Sequence, residues 1–225
     1  MLVSIVSAYT GKEREGLIEE FLDNIEVPSY AELIIVNAGG EPVKNDKITK
    51  LISLKENKSF SNSFNKGIMS ANGDYIVIIN IDCLPTPKNW LWQMIRLMIG
   101  TGASIISPTY TYPSPELYKH VVIKEEDDYY KVSFYPAICW LIKKSVIEEI
   151  GLFDERFSYG CYEDNDYCKR VINNGGKILV NKNLKFKHYG GETMTKIIGD
   201  KNSEEWKKVI IKNKEEFDKK WCSSQ

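Results

Sequence analysis

The chain has 225 residues, 43% of them hydrophobic, which is enough for one sizeable core and points to a single domain. Its 30 basic and 31 acidic residues leave a net charge of -1. With a pI near 6.2 and no long Lys/Arg run, that excludes a generic nucleic-acid binder.

The amino terminus has an apolar run with no basic region ahead of it, so no secretory signal is read there. No apolar stretch approaches the roughly 20 residues of a membrane-spanning helix, and a cytoplasmic protein is expected. Cys83, Cys139, Cys161, Cys168 and Cys222 form no C-x-x-C pair. Reduced, mostly buried thiols are expected rather than a zinc site or a disulfide framework.

In chain order, LVSIVSA (2–8) and AELIIVNA (31–38) are short β-branched runs that read as buried strands. EREGLIEEFLDNI (13–25) lies between them with helical spacing. A weaker strand, ITKLISLKE (48–56), precedes a helix over 61–71, which ends before Asn72-Gly73. DYIVIINIDCLPTPKNW (74–90) is a buried strand that ends in Asn80 and Asp82. PKNWLWQMIRLMIG (87–100) has a proline near its start and a glycine at its end, as helices prefer, and ASIISP (103–108) is the next strand. The alternation predicts an α/β fold: a mostly parallel sheet with helices on both faces.

Ligands of such sheets sit beyond the carboxyl ends of the strands, where Asn37, Asn80 and Asp82 fall. A carboxylate there binds a metal or a substrate. The alternative, that Asp82 caps the next helix, competes with better-placed caps at Thr86 or Lys88. Residues 108–135 break the pattern with prolines, an acidic knot and Tyr110, Tyr112, Tyr118, Tyr129 and Tyr130, whose flat faces suit sugar rings in an irregular binding loop. Further on, Glu163, Asp164 and Asp166 crowd the start of a helix behind FSYGCY. Dipole complementarity alone favours acids there, yet one of them is also suited to be a general base.

Four blocks, SIVSAYT, ENKSFSNSFNKGIMSANGDYIVIINIDCLPTPKNWL, PAICWLIKKSVIEEIGLFDERFSYGCYEDNDYCKRVINNGGK and HYGGET, follow one another along nearly the whole chain. In this order they resemble family 2 glycosyltransferases of the GT-A fold, and most closely the rhamnosyltransferase-like group, whose strand end reads Asn-Pro-Asp where this chain has Asn80-Ile81-Asp82. The resemblance implies one domain, with a nucleotide-sugar-binding half (1–107), an acceptor-side catalytic half (108–200) and a C-terminal helix (201–225).

It further implies an inverting transfer from a UDP- or dTDP-sugar to a glycan, lipid-linked or protein acceptor, assisted by Mn2+ or Mg2+. Asp82 and His188 would hold the metal, and Asn80, neutral where relatives carry an acid, would lower the charge of the site. The backbone of Ala8, Tyr9 and Thr10 would flank the base, and Asn37, standing where relatives have Asp, would accept its N3–H. Asn65 falls on a helix beside the donor, with a mainly structural role. Asp164 would be the base, Glu163 would orient the acceptor or the base, and Asp166 would pack.

Two other classes compete with this reading. A sugar nucleotidyltransferase needs a glycine-rich basic loop after the first strand, which AYTGKERE is not. A non-catalytic nucleotide-sugar or carbohydrate-binding relic is favoured by Asn37 and Asn80 and opposed by Asp82, Asp164 and His188. The tail over 202–221 recurs Trp206, Ile210, Phe217 and Trp221 at helical spacing with near-balanced charge. It predicts a helix docked on the domain rather than on a membrane surface.

Overall fold

The computed structural model describes residues 1–190 and 203–222. In chain order, β1 (Val3–Tyr9), α1 (Leu17–Asn24), β2 (Ala31–Ala38), β3 (Lys50–Leu54), α2 (Phe60–Met69) and β4 (Tyr75–Ile79) come first. β5 (Cys83–Leu84), α3 (Trp90–Thr101), β6 (Ile105–Tyr110), β7 (Val122–Glu125), β8 (Tyr129–Val132) and β9 (Cys139–Lys143) follow. α4 (Lys144–Ile150), α5 (Glu163–Asn173), β10 (Ile178–His188) and α6 (Glu204–Trp221) complete the described chain. The strands join in one sheet of order β3-β2-β1-β4-β9-β6-β10-β8-β7, with β5 paired to β10.

Val, Ile and Leu make the middle of this sheet, and residues of both parities are buried along β1 and β2. Both faces are therefore covered, as parallel sheets require. β1 pairs in parallel with β2 and β4, and β2 with β3. α2 lies on β1 and β2 because Gly67 lets it: a Cβ there would stand 2.2 Å from Val6 Cγ1.

Beyond β4 the expected alternation changes. β9 runs antiparallel to both β4 and β6, so the sheet is parallel at its core and mixed outside it. The stretch 108–135 is also more regular than its composition suggests. A 3-10 helix at Pro115–Val121 leads into the β7–β8 hairpin, and β8 pairs antiparallel with β10. Lys124 and Glu125 lie on an exposed edge strand, where charges block further pairing, and this hides the strand in the sequence.

Two helix starts move as well. α1 begins at Leu17 because Glu13 turns back to accept hydrogen bonds from Thr10 N and Oγ1, both at 2.9 Å, and Gly16 is left-handed at φ 75°. α3 begins after Asn89, and the Thr86 hydroxyl donates instead to Lys185 O at 2.7 Å. Asp82 lies well upstream and caps no helix. All five cysteines are free thiols, with Cys83, Cys139 and Cys168 buried.

The C-terminal helix α6 is docked, and Phe217 and Trp221 of the expected stripe take part alongside polar contacts. Trp221 Nε1 donates to Asp166 Oδ1 at 2.9 Å, Lys220 Nζ lies 2.7 Å from the same oxygen, and Arg170 Nε donates to Asp166 Oδ2 at 2.8 Å. Lys169 Nζ sits over the rings of Phe217 and Trp221, and Trp206 and Ile210 are half-buried. Among the described residues no helix is long and apolar enough to cross a membrane.

Asp166 is fully buried, so Asp166→Ala leaves Arg170 without its carboxylate and Trp221 Nε1 without its acceptor, while Lys220 keeps Asp154 at 2.9 Å. Breaking a buried pair costs about 3–5 kcal/mol. Thermal unfolding followed by circular dichroism should show the melting temperature of the variant roughly 6 °C or more below that of the parent.

Candidate active site

The apolar residues of β4 are buried up to Ile79, and the chain then turns tightly. Asn80 N donates to Ile138 O and Cys83 N donates to Asn80 O, at 2.9 and 3.0 Å. The turn feeds β5, whose Cys83 is the antiparallel partner of His188 at the end of β10. This pairing brings His188 to Asp82: Nε2 and Oδ1 are 3.3 Å apart, and both residues are buried.

On its other side His188 Nδ1 lies 2.5 Å from Tyr112 O. A carbonyl only accepts, so Nδ1 carries a proton, and a ring protonated there alone turns its Nε2 lone pair toward Asp82. A lone pair facing a carboxylate oxygen calls for a second proton or a cation between them. A nitrogen and an oxygen donor so disposed suit a divalent ion. Among the described residues no group of three or more acids, cysteines or histidines gathers around one point, so substrate oxygens and water would complete any coordination.

The second half of the site is the start of α5. Glu163 is buried with its Oε2 lacking a hydrogen-bond partner. Burial, and then the neighbouring Asp164, push its carboxyl far above the usual range. Asp164 is half-buried and accepts a hydrogen bond from Asn165 N at 2.8 Å. Burial raises its pKa to about 6, against the lowering effect of the Asn165 and Ala137 amides. A carboxyl that titrates close to neutrality is suited to proton transfer.

A row of aromatic rings links the two halves. The Tyr118 and Tyr135 centroids are 5.1 Å apart, Tyr135 stacks on Tyr110 at 5.7 Å, and Tyr110 lies 5.9 Å from the His188 ring. Burial, and then the charge of Asp164, hold the Tyr118 hydroxyl up at about 12. Tyr110 offers no face to a sugar: it is fully buried, and its hydroxyl accepts from Cys139 N at 2.9 Å.

Beside β1 a cavity of about 300 Å³ is lined by Tyr9, Gly11, Arg14, Glu41, Val43 and Ile81. Tyr9 shapes it by donating to Glu41 O at 2.6 Å and accepting from Val43 N at 3.2 Å. Glu13, Glu15 and Glu19 also line it, and Ile81, the residue before Asp82, is part of its wall. Ala8 and Thr10 flank Tyr9 on the same strand end, with Thr10 held by Glu13.

A family model described as glycosyl transferase family 2 matches residues 18–151, more than half of the chain. The chain belongs to glycosyl transferase family 2. Comparison with curated proteins gives no match. Among solved structures, GalNAc-T7 with UDP, GalNAc and Mn2+ is similar at a TM-score of 0.72 and 14% identity, over 96% of this chain and 48% of that one. The mannosyltransferase PcManGT from Pyrobaculum calidifontis, in complex with GDP-Man and Mn2+, gives 0.65 and 15%, over 94% and 68%. S. aureus TarS 1-349 in complex with UDP-GlcNAc gives 0.66 and 14%, over 93% and 64%. The chain thus spans about half the length of the first. These likenesses show the GT-A glycosyltransferase fold.

On this family 2 scaffold, several residues picked from the sequence come together and others do not. Asp82 meets His188, and Glu163 adjoins Asp164, whereas the amide of Asn37 bonds to the backbone of Gly40. Asn37 Oδ1 accepts from Gly40 N and Nδ2 donates to Gly40 O, both at 2.7 Å, which closes the 37–40 loop. Asn65 is likewise turned inward: it accepts from Phe153 N and donates to Phe153 O and Glu155 Oε1, at 3.0, 2.9 and 2.9 Å. Asn80 contributes its backbone, and its side chain forms no hydrogen bond among the described residues. Of HYGGET, the part from Gly191 onward lies outside the described residues. Sequence reasoning missed Tyr135 and Ala137; the available signal was the apolar run AICWLI, which was not taken as a strand.

Asn65→Ala orphans a buried amide and a buried carbonyl of Phe153, at about 1–3 kcal/mol for each unsatisfied group. Urea titration should give a lower midpoint with an unchanged slope, since the denatured chain is not altered in compactness.

Proposed function

We propose that this family 2 glycosyltransferase moves a sugar from a uridine or thymidine diphosphate donor to an acceptor hydroxyl, with inversion at the anomeric carbon. The observation that carries the reading is the near-neutral carboxyl of Asp164, joined by one row of rings to the Asp82–His188 pair. The nucleotide and nucleotide-sugar complexes of the similar structures support the donor class. Asn80-Ile81-Asp82 supports membership of the rhamnosyltransferase-like group, with a glycan, lipid-linked or protein acceptor.

In this reading the nucleoside lies in the cavity beside Tyr9, and the diphosphate reaches toward Asp82. The acceptor hydroxyl gives its proton to the Asp164 carboxylate. Its oxygen then attacks the anomeric carbon opposite the bond to the diphosphate, which leaves with the bonding pair. Glu163, held protonated by burial, donates to the acceptor oxygen instead of competing for its proton. Asp82 and His188 would hold Mn2+ or Mg2+, which supplies charge neutralisation for the departing diphosphate.

A panel of nucleotide sugars, assayed for released nucleoside diphosphate with Mn2+ present, tests the reaction. Asp164→Asn should bind donor normally in calorimetry while turnover falls roughly 10²-fold or more. The sign of the pH effect follows from the base having to be ionised. Turnover by the parent should rise as pH passes upward through about 6, and that limb should vanish in Asp164→Asn. Donor binding without turnover for every sugar tried would make the protein a binding module of the same fold.

The metal assignment has its own test. Calorimetry of nucleoside diphosphate binding with and without Mn2+ should show the metal-dependent part lost in Asp82→Ala and in His188→Ala. Parent-like Mn2+ dependence in both variants would move the metal elsewhere.

A further inference from the structure

Along α6 only Asn213 is buried, and it is buried completely. All of its side-chain hydrogen bonds go to one loop. Nδ2 donates to the carbonyls of Ser158, Gly160 and Cys161 at 3.0, 2.9 and 3.0 Å. Oδ1 accepts from Ser158 N and Oγ, both at 3.1 Å. A single amide thus joins three carbonyls of one loop, of which Ser158 O also accepts from Gly160 N at 2.8 Å.

The loop needs such a partner. Tyr159, Gly160, Cys161 and Tyr162 are left-handed in succession, at φ 61°, 138°, 77° and 73°. Three of them carry a Cβ that crowds the following carbonyl in this conformation, so the run persists only where its surroundings dictate it. Tyr162 is the residue from which α5 starts. It has no side-chain cap, and its carbonyl accepts from Asp166 N at 2.9 Å. Glu163 and Asp164 come next. The direction of the Asp164 carboxylate is therefore inherited from the loop, and the loop is held from α6.

The second hold is independent of the first. Trp221 and Lys220, also on α6, fasten Asp166 in the first turn of α5, and the Phe217 ring packs on Tyr162 at 5.6 Å. We propose that Asn213 is a positioning residue for the general base: it fixes the left-handed run 159–162 and so sets the line along which Asp164 meets the acceptor. The proposal rests on the reading of Asp164 as that base.

The test separates positioning from mere stability. Nucleoside diphosphate release, donor binding by calorimetry and melting temperature are measured for the parent and Asn213→Ala, with assays run well below either melting temperature. Positioning predicts one donor bound per chain with parent-like affinity and KM, while kcat falls roughly 10- to 100-fold, the range for displacement of a reacting group by about 1 Å. Asn213→Ser keeps one hydroxyl donor for the carbonyls and buries no charge. It should show the same split in milder form, and it carries the comparison if the alanine variant does not fold. Parent-like kcat in a folded variant, with only a lower melting temperature, overturns the proposal. A parent that turns over no nucleotide sugar overturns the base assignment beneath it.

Discussion

The two peptide units at Ala137 and Ile138, where β9 enters the sheet, hold both halves of the site. Ile138 O accepts from Asn80 N at 2.9 Å, which orients the turn that carries Asp82. The Ala137 amide pulls the Asp164 carboxyl down against its burial. This meeting follows from strand direction. A parallel neighbour of β4 would enter at the far end of the sheet, but β9 is antiparallel, with Cys139 opposite Ile79. Its entry therefore lies at the carboxyl end of β4, where ligands of such sheets bind.

Electrostatics then gives identical side chains different work. Burial pushes the Asp164 carboxyl up while the Asn165 and Ala137 amides pull it down, which leaves it at about 6. Glu163, one residue earlier, is more deeply buried and feels the charge of Asp164 as well, so it keeps its proton. Two adjacent carboxyls driven apart in this way act as one acid and one base. Asp154 shows the opposite case: Arg156 and Lys220 bond to it and hold its carboxyl well below the usual range.

The parts of the fold that could be read from the sequence are those whose signal is local. β2 occupies 31–38 as read, because its run is uninterrupted and ends at a glycine pair. Asp82 stood out as a lone acid after a buried strand. The hairpin β7–β8 was hidden by edge charges, and β9 was passed over as a strand although its residues are apolar. His188 was reached through resemblance, since its partner Asp82 is joined to it only by the β5–β10 pairing. An asparagine is the hardest residue to read. Asn65 bonds to Phe153, and Asn213 to Ser158–Cys161, and nothing local distinguishes either from a solvated amide.

The asparagines also bear on how the site treats charge. In the proposed reaction the donor brings a diphosphate, and each carboxylate near it opposes its approach. With Asn80 neutral at the strand end and Asn37 spent on Gly40, Asp82 is the acid of that turn, while Glu13, Glu15, Glu19 and Glu41 line the cavity beside Tyr9. Carboxylates so placed oppose an anion that enters alone. A divalent cation held by Asp82 and His188 would offset that opposition by supplying the positive charge which the lining of the cavity lacks.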